Sequence, residues 1–141
     1  MNRRALGRGR MLIGLGAIVS VCGLFPPWWM IARTNLESLS GNGLQGVGLI
    51  IFLAGMASLA VLTLPYASRD GDSTLDRPGI YVVLGVAALG TFLFRLYEIN
   101  SFAGIGLPTV APGLWITGVG LLLFVWGVAD VLTTRTEQRR T

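Results

Sequence analysis

Histidine and lysine are both absent from this 141-residue chain, and cysteine occurs once. Without imidazole there is no histidine acid–base catalysis, no histidine metal ligand and no bis-histidine haem. A single thiol, Cys22, can form no intrachain disulfide, no Cys-x-x-Cys redox pair and no iron–sulfur cluster held by this chain alone. It reads as a small apolar filler within a helix. Charge is scarce as well: 13% of residues are charged, about half the roughly 25% of a soluble domain. No cofactor, no metal and no catalytic constellation is expected, and the chain reads as a non-enzyme.

What is abundant is apolar sequence, at 52% of residues. Four stretches approach the roughly 20 residues that cross a bilayer as a helix: 8–27, 44–65, 79–98 and 113–132. The alternating polarity of a membrane β-strand is missing, so each stretch must satisfy its own backbone as a helix. The expected fold is all-α: one integral membrane domain over 1–141, a compact four-transmembrane-helix bundle, with two tandem helical hairpins as one way of building it.

The N-terminus has the outline of a signal peptide, ending in Val19-Ser20-Val21-Cys22. Valine before the cysteine suits lipoprotein cleavage poorly, and the apolar run continues into Trp28 and Trp29, so span one is expected to be retained. Arginine then sets the orientation. Arg3, Arg4, Arg8, Arg10, Arg69, Arg77, Arg135, Arg139 and Arg140 fall on one side of this segmentation, against Arg33 alone in a loop on the other. The positive-inside rule puts both termini in the cytoplasm and the chain in the cytoplasmic (cell, or inner) membrane. The net charge of +4 is therefore topology and not nucleic-acid binding. The terminal arginines can touch anionic headgroups, at about 1 kcal/mol each near the surface.

Span one breaks at Pro26-Pro27, and Trp28 and Trp29 follow at the expected headgroup level, as anchors or as contacts to a partner or lipid. Arg33 and Glu37 stand i, i+4 apart, a spacing that admits a short interfacial helix in the loop beyond. The loop between spans two and three carries Asp70, Asp72 and Asp76, but flanking arginines and the lack of a calcium-loop pattern make it a solvated turn. Arg95 falls toward the outer end of span three with Glu98 three residues on, an anchoring pair or a contact to another subunit. Asp130 is placed at the inner end of span four, where a helix C-terminus disfavours a carboxylate, so it is expected either to be solvated at the cytoplasmic boundary or to be a partner or lipid contact offset by Arg77, Arg135 or a partner's cation.

Glycine is the main pattern. Gly9, Gly16 and Gly23 are spaced by seven, as are Gly41, Gly48 and Gly55, and Gly113, Gly120 and Gly127. Seven residues are nearly two helical turns, so each series draws a stripe without side chains. Lipid gives helices no hydrophobic reason to associate, and such stripes let backbones approach closely. Gly16, Gly23, Gly48, Gly55, Gly120 and Gly127 are the expected packing positions. GVGLIIFLAG at Gly46 returns as GVGLLLFVWG at Gly118, which is compatible with duplication and with a shared packing demand.

Small multidrug transporters are similar in length and span count, yet their membrane-embedded first-helix glutamate has no counterpart in MLIGLGAIVSVCGLF. The sequence thus favours a non-catalytic accessory, assembly or stabilising subunit of a larger membrane complex, surrounded by lipid and other integral membrane subunits. The alternative is a small oligomeric transporter or channel.

Overall fold

A computed structural model describes residues 7–33, 36–67, 78–103 and 111–138. The chain is mostly helical: α1 (Arg8–Cys22), α2 (Leu49–Ala67), α3 (Pro78–Ala103) and α4 (Pro112–Gln138). Between α1 and α2 lie two strands, β1 (Pro27–Arg33) and β2 (Leu36–Asn42), and a 3-10 turn over Gly46–Gly48. Pro78 and Pro112 each begin a helix, where the missing amide donor costs nothing and the fixed φ is already helical. The aspartates Asp70, Asp72 and Asp76 and the arginines Arg3, Arg4, Arg69, Arg77, Arg139 and Arg140 lie outside the described residues.

Three segments are long and apolar enough to cross a membrane: Gly46–Leu64, Pro78–Ser101 and Pro112–Thr134. They make this a helical membrane protein. The helix α1 is shorter, at 15 residues, or about 22 Å of rise. It stops at Cys22, where the amides of Gly23, Leu24 and Phe25 fold back on the carbonyls of Val19, Val21 and Cys22. The proline pair then starts a strand.

The all-α expectation therefore needs one correction. The segment expected to be a loop with a short helix is an antiparallel hairpin, with Pro27 opposite Asn42, Trp29 opposite Gly41 and Ile31 opposite Leu39. Two prolines exclude helix at its start, and the Trp-Trp-Met-Ile run that follows favours a strand. The Arg33–Glu37 spacing is a helical argument that does not apply to a strand pair.

Each helix packs on the next in sequence, and α1 lies against α4 in the most extensive pairing of all. Two apolar clusters fill the interior. Near the hairpin, Leu24, Trp28, Ile51, Ala88, Phe92 and Leu114 pack together; toward the chain termini, Ile13, Ala17, Leu62, Tyr81 and Phe124 do so. The opposite surfaces of the helices are apolar too: Leu53, Val86, Phe94, Val119, Leu122 and Trp126 are all exposed. Water would not tolerate that much exposed hydrocarbon; lipid does.

Candidate functional site

Three places gather the residues singled out in the sequence. The first is the α1–α4 seam. A Cβ on Gly16 would stand 2.7 Å from the Gly120 carbonyl oxygen, and one on Gly127 would stand 2.7 Å from the Gly9 oxygen. At the hairpin end, a Cβ on Gly113 would stand 2.8 Å from the Gly23 oxygen. Two glycine heptads thus meet in antiparallel register, Gly9 with Gly127, Gly16 with Gly120 and Gly23 with Gly113. Each substitution would drive a side chain into backbone, which cannot move aside cheaply. Thr117 adds polarity here, its hydroxyl donating to the Gly113 oxygen at 2.9 Å and lying 3.4 Å from the Ser20 oxygen.

The third glycine series does not form a stripe. Gly41 is on β2, Gly48 ends the 3-10 turn against the Gly43 carbonyl, and only Gly55 lies on α2, facing Val21 of α1 at 2.6 Å from a would-be Cβ. The repeated decapeptide is split in the same way. Gly46 has φ +63°, the left-handed turn before α2, whereas its counterpart Gly118 is inside α4. Matching sequence occupies unlike local structure.

The second place is the hairpin end. Trp28 is fully buried, so it is neither a headgroup anchor nor a free contact for a partner. Its indole N–H donates to the Gly23 oxygen at 2.9 Å, and its ring meets Phe92 of α3 edge-on at 5.7 Å. Gly43 and Gly113 both press on the indole, where a Cβ would stand 2.5 Å and 2.8 Å away. One side chain thereby ties the hairpin to α1, α3 and α4. The Gly43 amide completes the attachment by donating to the Leu24 oxygen at 2.9 Å. Trp29 is half-buried and lies over Gly41 across the hairpin.

Arg95 and Glu98 belong to this end as well. The Arg95 Nη1 donates to the Glu98 Oε2, with the two side chains 13% and 33% exposed. Arg95 Nε is buried and makes no hydrogen bond among the described residues. The guanidinium lies 3.9 Å from where a Cβ on Gly46 would stand, so α3 reaches the turn that opens α2. The pair is charge-neutral.

The third place is the opposite end, at Asp130. The helix α4 runs on to Gln138, so Asp130 is not at a helix C-terminus and the unfavourable dipole expected there does not apply. It is half-buried beside Gly9, with its Oδ2 3.0 Å from a would-be Cβ. Its backbone oxygen accepts from the hydroxyls of Thr133 and Thr134. Asp130 is separated from the Arg95–Glu98 pair by most of the length of α3 and α4, so the two acidic groups form no common site.

Among the described residues no three His, Cys, Asp or Glu side chains come together to hold a metal. Cys22 is exposed on α1. The sequence reading missed two buried hydroxyls, Ser20 and Thr117. Their signal was present: each follows a stripe glycine by four residues, on the same helix face. Comparison with family models, with curated proteins and with solved structures gives no match to this chain.

Proposed function

We propose that the chain is a non-catalytic accessory or assembly subunit of a larger complex in the cytoplasmic membrane. In this reading it is a compact four-span bundle with both termini cytoplasmic. Nine arginines on one side of the spans support the orientation. The observation that carries the role is the use of the buried residues. Glycine, alanine, aliphatic and aromatic side chains fill the contacts between helices, and the buried polar groups described are the hydroxyls of Ser20, Ser58, Thr117 and Tyr81, with no fully buried carboxylate or basic group among the described residues. A carrier of ions or charged solutes usually needs an ionisable or strongly polar group near the membrane centre. The apolar outer faces of α3 and α4 leave room for neighbouring integral membrane subunits as well as lipid.

Gentle extraction from native membrane followed by mass spectrometry of the intact assembly tests this reading. Stoichiometric co-purification with other membrane subunits is the expected result. A chain that emerges as a stable, partnerless monomer, or that carries ion or solute flux by itself in reconstituted vesicles, would overturn it.

A further inference from the structure

The net charge of +4 is not spread along the chain. Four arginines fall in 3–10 and three in 135–140, and Asp130 and Glu137 are the carboxylates near them in sequence. Through the rest of the chain four arginines are outnumbered by five carboxylates. The excess of positive charge therefore belongs to the stretches that open α1 and close α4.

The glycine seam joins those two stretches in space. A Cβ on Gly9 would stand 2.7 Å from Val131 Cγ2 and 2.9 Å from the Gly127 oxygen. The first turn of α1, with Arg8 exposed and Arg10 half-buried, thus lies against the last third of α4. The position of Arg135 comes one helical turn after Val131, on the face of α4 that meets α1. The other four arginines are within five residues of Arg8 or Arg135 along the chain. Asp130, beside Gly9, and Glu137 reduce the charge gathered here without cancelling it.

The other side of this end has the opposite balance. Leu62 and Tyr81 pack with Ile13, so α2 closes and α3 opens at the same end as the chain termini. The stretch between them, 68–77, has three aspartates against two arginines. Toward the membrane interior, the cationic side continues into hydrocarbon: Met11 and Leu15 of α1 and Trp126 of α4 are exposed. A ligand that fits both parts joins several negative charges to apolar chains. A nucleic acid or a free anion has only the first.

We propose that the α1–α4 end is a binding site for a lipid with a multiply charged anionic headgroup. Its phosphates accept from the guanidinium groups gathered by the seam, and its acyl chains lie along α1 and α4. Two independent arginine segments would attract an anionic membrane surface evenly. Their convergence on one seam makes a single site, on one side of the bundle. The site rests on the chain being a helical membrane protein and not on its place in a complex.

Native mass spectrometry of the full chain released from lipid nanodiscs reads the site. The probes are cardiolipin, with two phosphates, phosphatidylglycerol, with one, and zwitterionic phosphatidylcholine. The expected order of retention is cardiolipin, then phosphatidylglycerol, then phosphatidylcholine. Arg8→Gln and Arg135→Gln each lower cardiolipin retention by about fivefold, the effect of roughly 1 kcal/mol per arginine near the surface. Arg69→Gln and Arg77→Gln, on the acidic side, change it by less than about twofold. All are scored on chains that keep the wild-type helical signal by circular dichroism. Equal retention of the three lipids would overturn the proposal. So would equal losses at all four arginines, as a uniformly basic surface gives. Displacement of cardiolipin by excess inorganic phosphate would also overturn it, by showing a site for a free anion.

Discussion

The two long glycine-bearing helices α3 and α4 make opposite use of the residue. On α4, Gly113, Gly120 and Gly127 each face the backbone of α1 too closely for any side chain. On α3, Gly79 and Gly90 face nothing within 4 Å, and Gly85 meets only the ring of Phe124, 3.1 Å from a would-be Cβ. The α1–α4 contact is therefore backbone against backbone, while α3 is held by side chains such as Phe92, Ala88 and Tyr81. In lipid, where apolar surface alone gives no preference for a neighbour, the first kind of contact specifies one partner and one register. The second tolerates repacking.

Substitutions that fill the seam test this contrast most severely. Gly16→Val or Gly120→Val puts a branched side chain into the facing backbone and is expected to cost about 3 kcal/mol or more, read as loss of the folded state in detergent-titrated unfolding. If either variant unfolds like wild type, the seam does not govern stability. Next comes the hairpin attachment. Trp28→Ala removes a fully buried indole and is expected to cost about 3–5 kcal/mol, with protease susceptibility rising first in the hairpin. Trp28→Phe keeps the ring against Phe92 and loses the bond to Gly23, at about 1 kcal/mol.

The ion pair is expected to matter less. Removing Glu98 as Glu98→Gln leaves a largely buried guanidinium short of its partner, for about 1–2 kcal/mol, between the values of exposed and buried pairs. Adding Arg95→Gln should recover part of that loss in a double-mutant cycle; strict additivity would mean the pair is not coupled. Least of all is Gly90→Ala on α3, where the space is open and better helix propensity gives a change within about 1 kcal/mol, toward stability. A strongly destabilised Gly90→Ala chain would show that α3 also packs through its glycines and would erase the contrast.

The difference between the helices also marks how far the sequence can be read. Spans two to four are legible in it because an unbroken apolar run of roughly 20 residues, coiled as a helix, matches the thickness of the hydrocarbon core. The glycine period is legible as packing, but not its pairing. Gly41, Gly48 and Gly55 carry the same spacing as the two real stripes, and only the start of α2 at Leu49 removes Gly41 and Gly48 from that helix. Trp28 reads as an interfacial anchor because composition cannot tell a ring at headgroup level from one tucked beneath a hairpin. Its partners, Gly23, Gly43, Phe92 and Gly113, are brought together by the strand turn. The burial of Ser20 is legible from its place four residues after Gly16, but the lack of a hydrogen bond at its Oγ among the described residues is not. A lone serine in an apolar helix usually bonds its own backbone, and its exception is visible in space alone.

The register Gly9·Gly127, Gly16·Gly120, Gly23·Gly113 can be read directly by solid-state NMR of the full chain in lipid bilayers, with glycine labelled at Cα and at the carbonyl carbon. A backbone-to-backbone seam predicts a cross-peak between Gly16 Cα and the Gly120 carbonyl, with matching peaks for the flanking pairs. Glycine signals of α1 that correlate with lipid acyl chains, and with no glycine of α4, would contradict it.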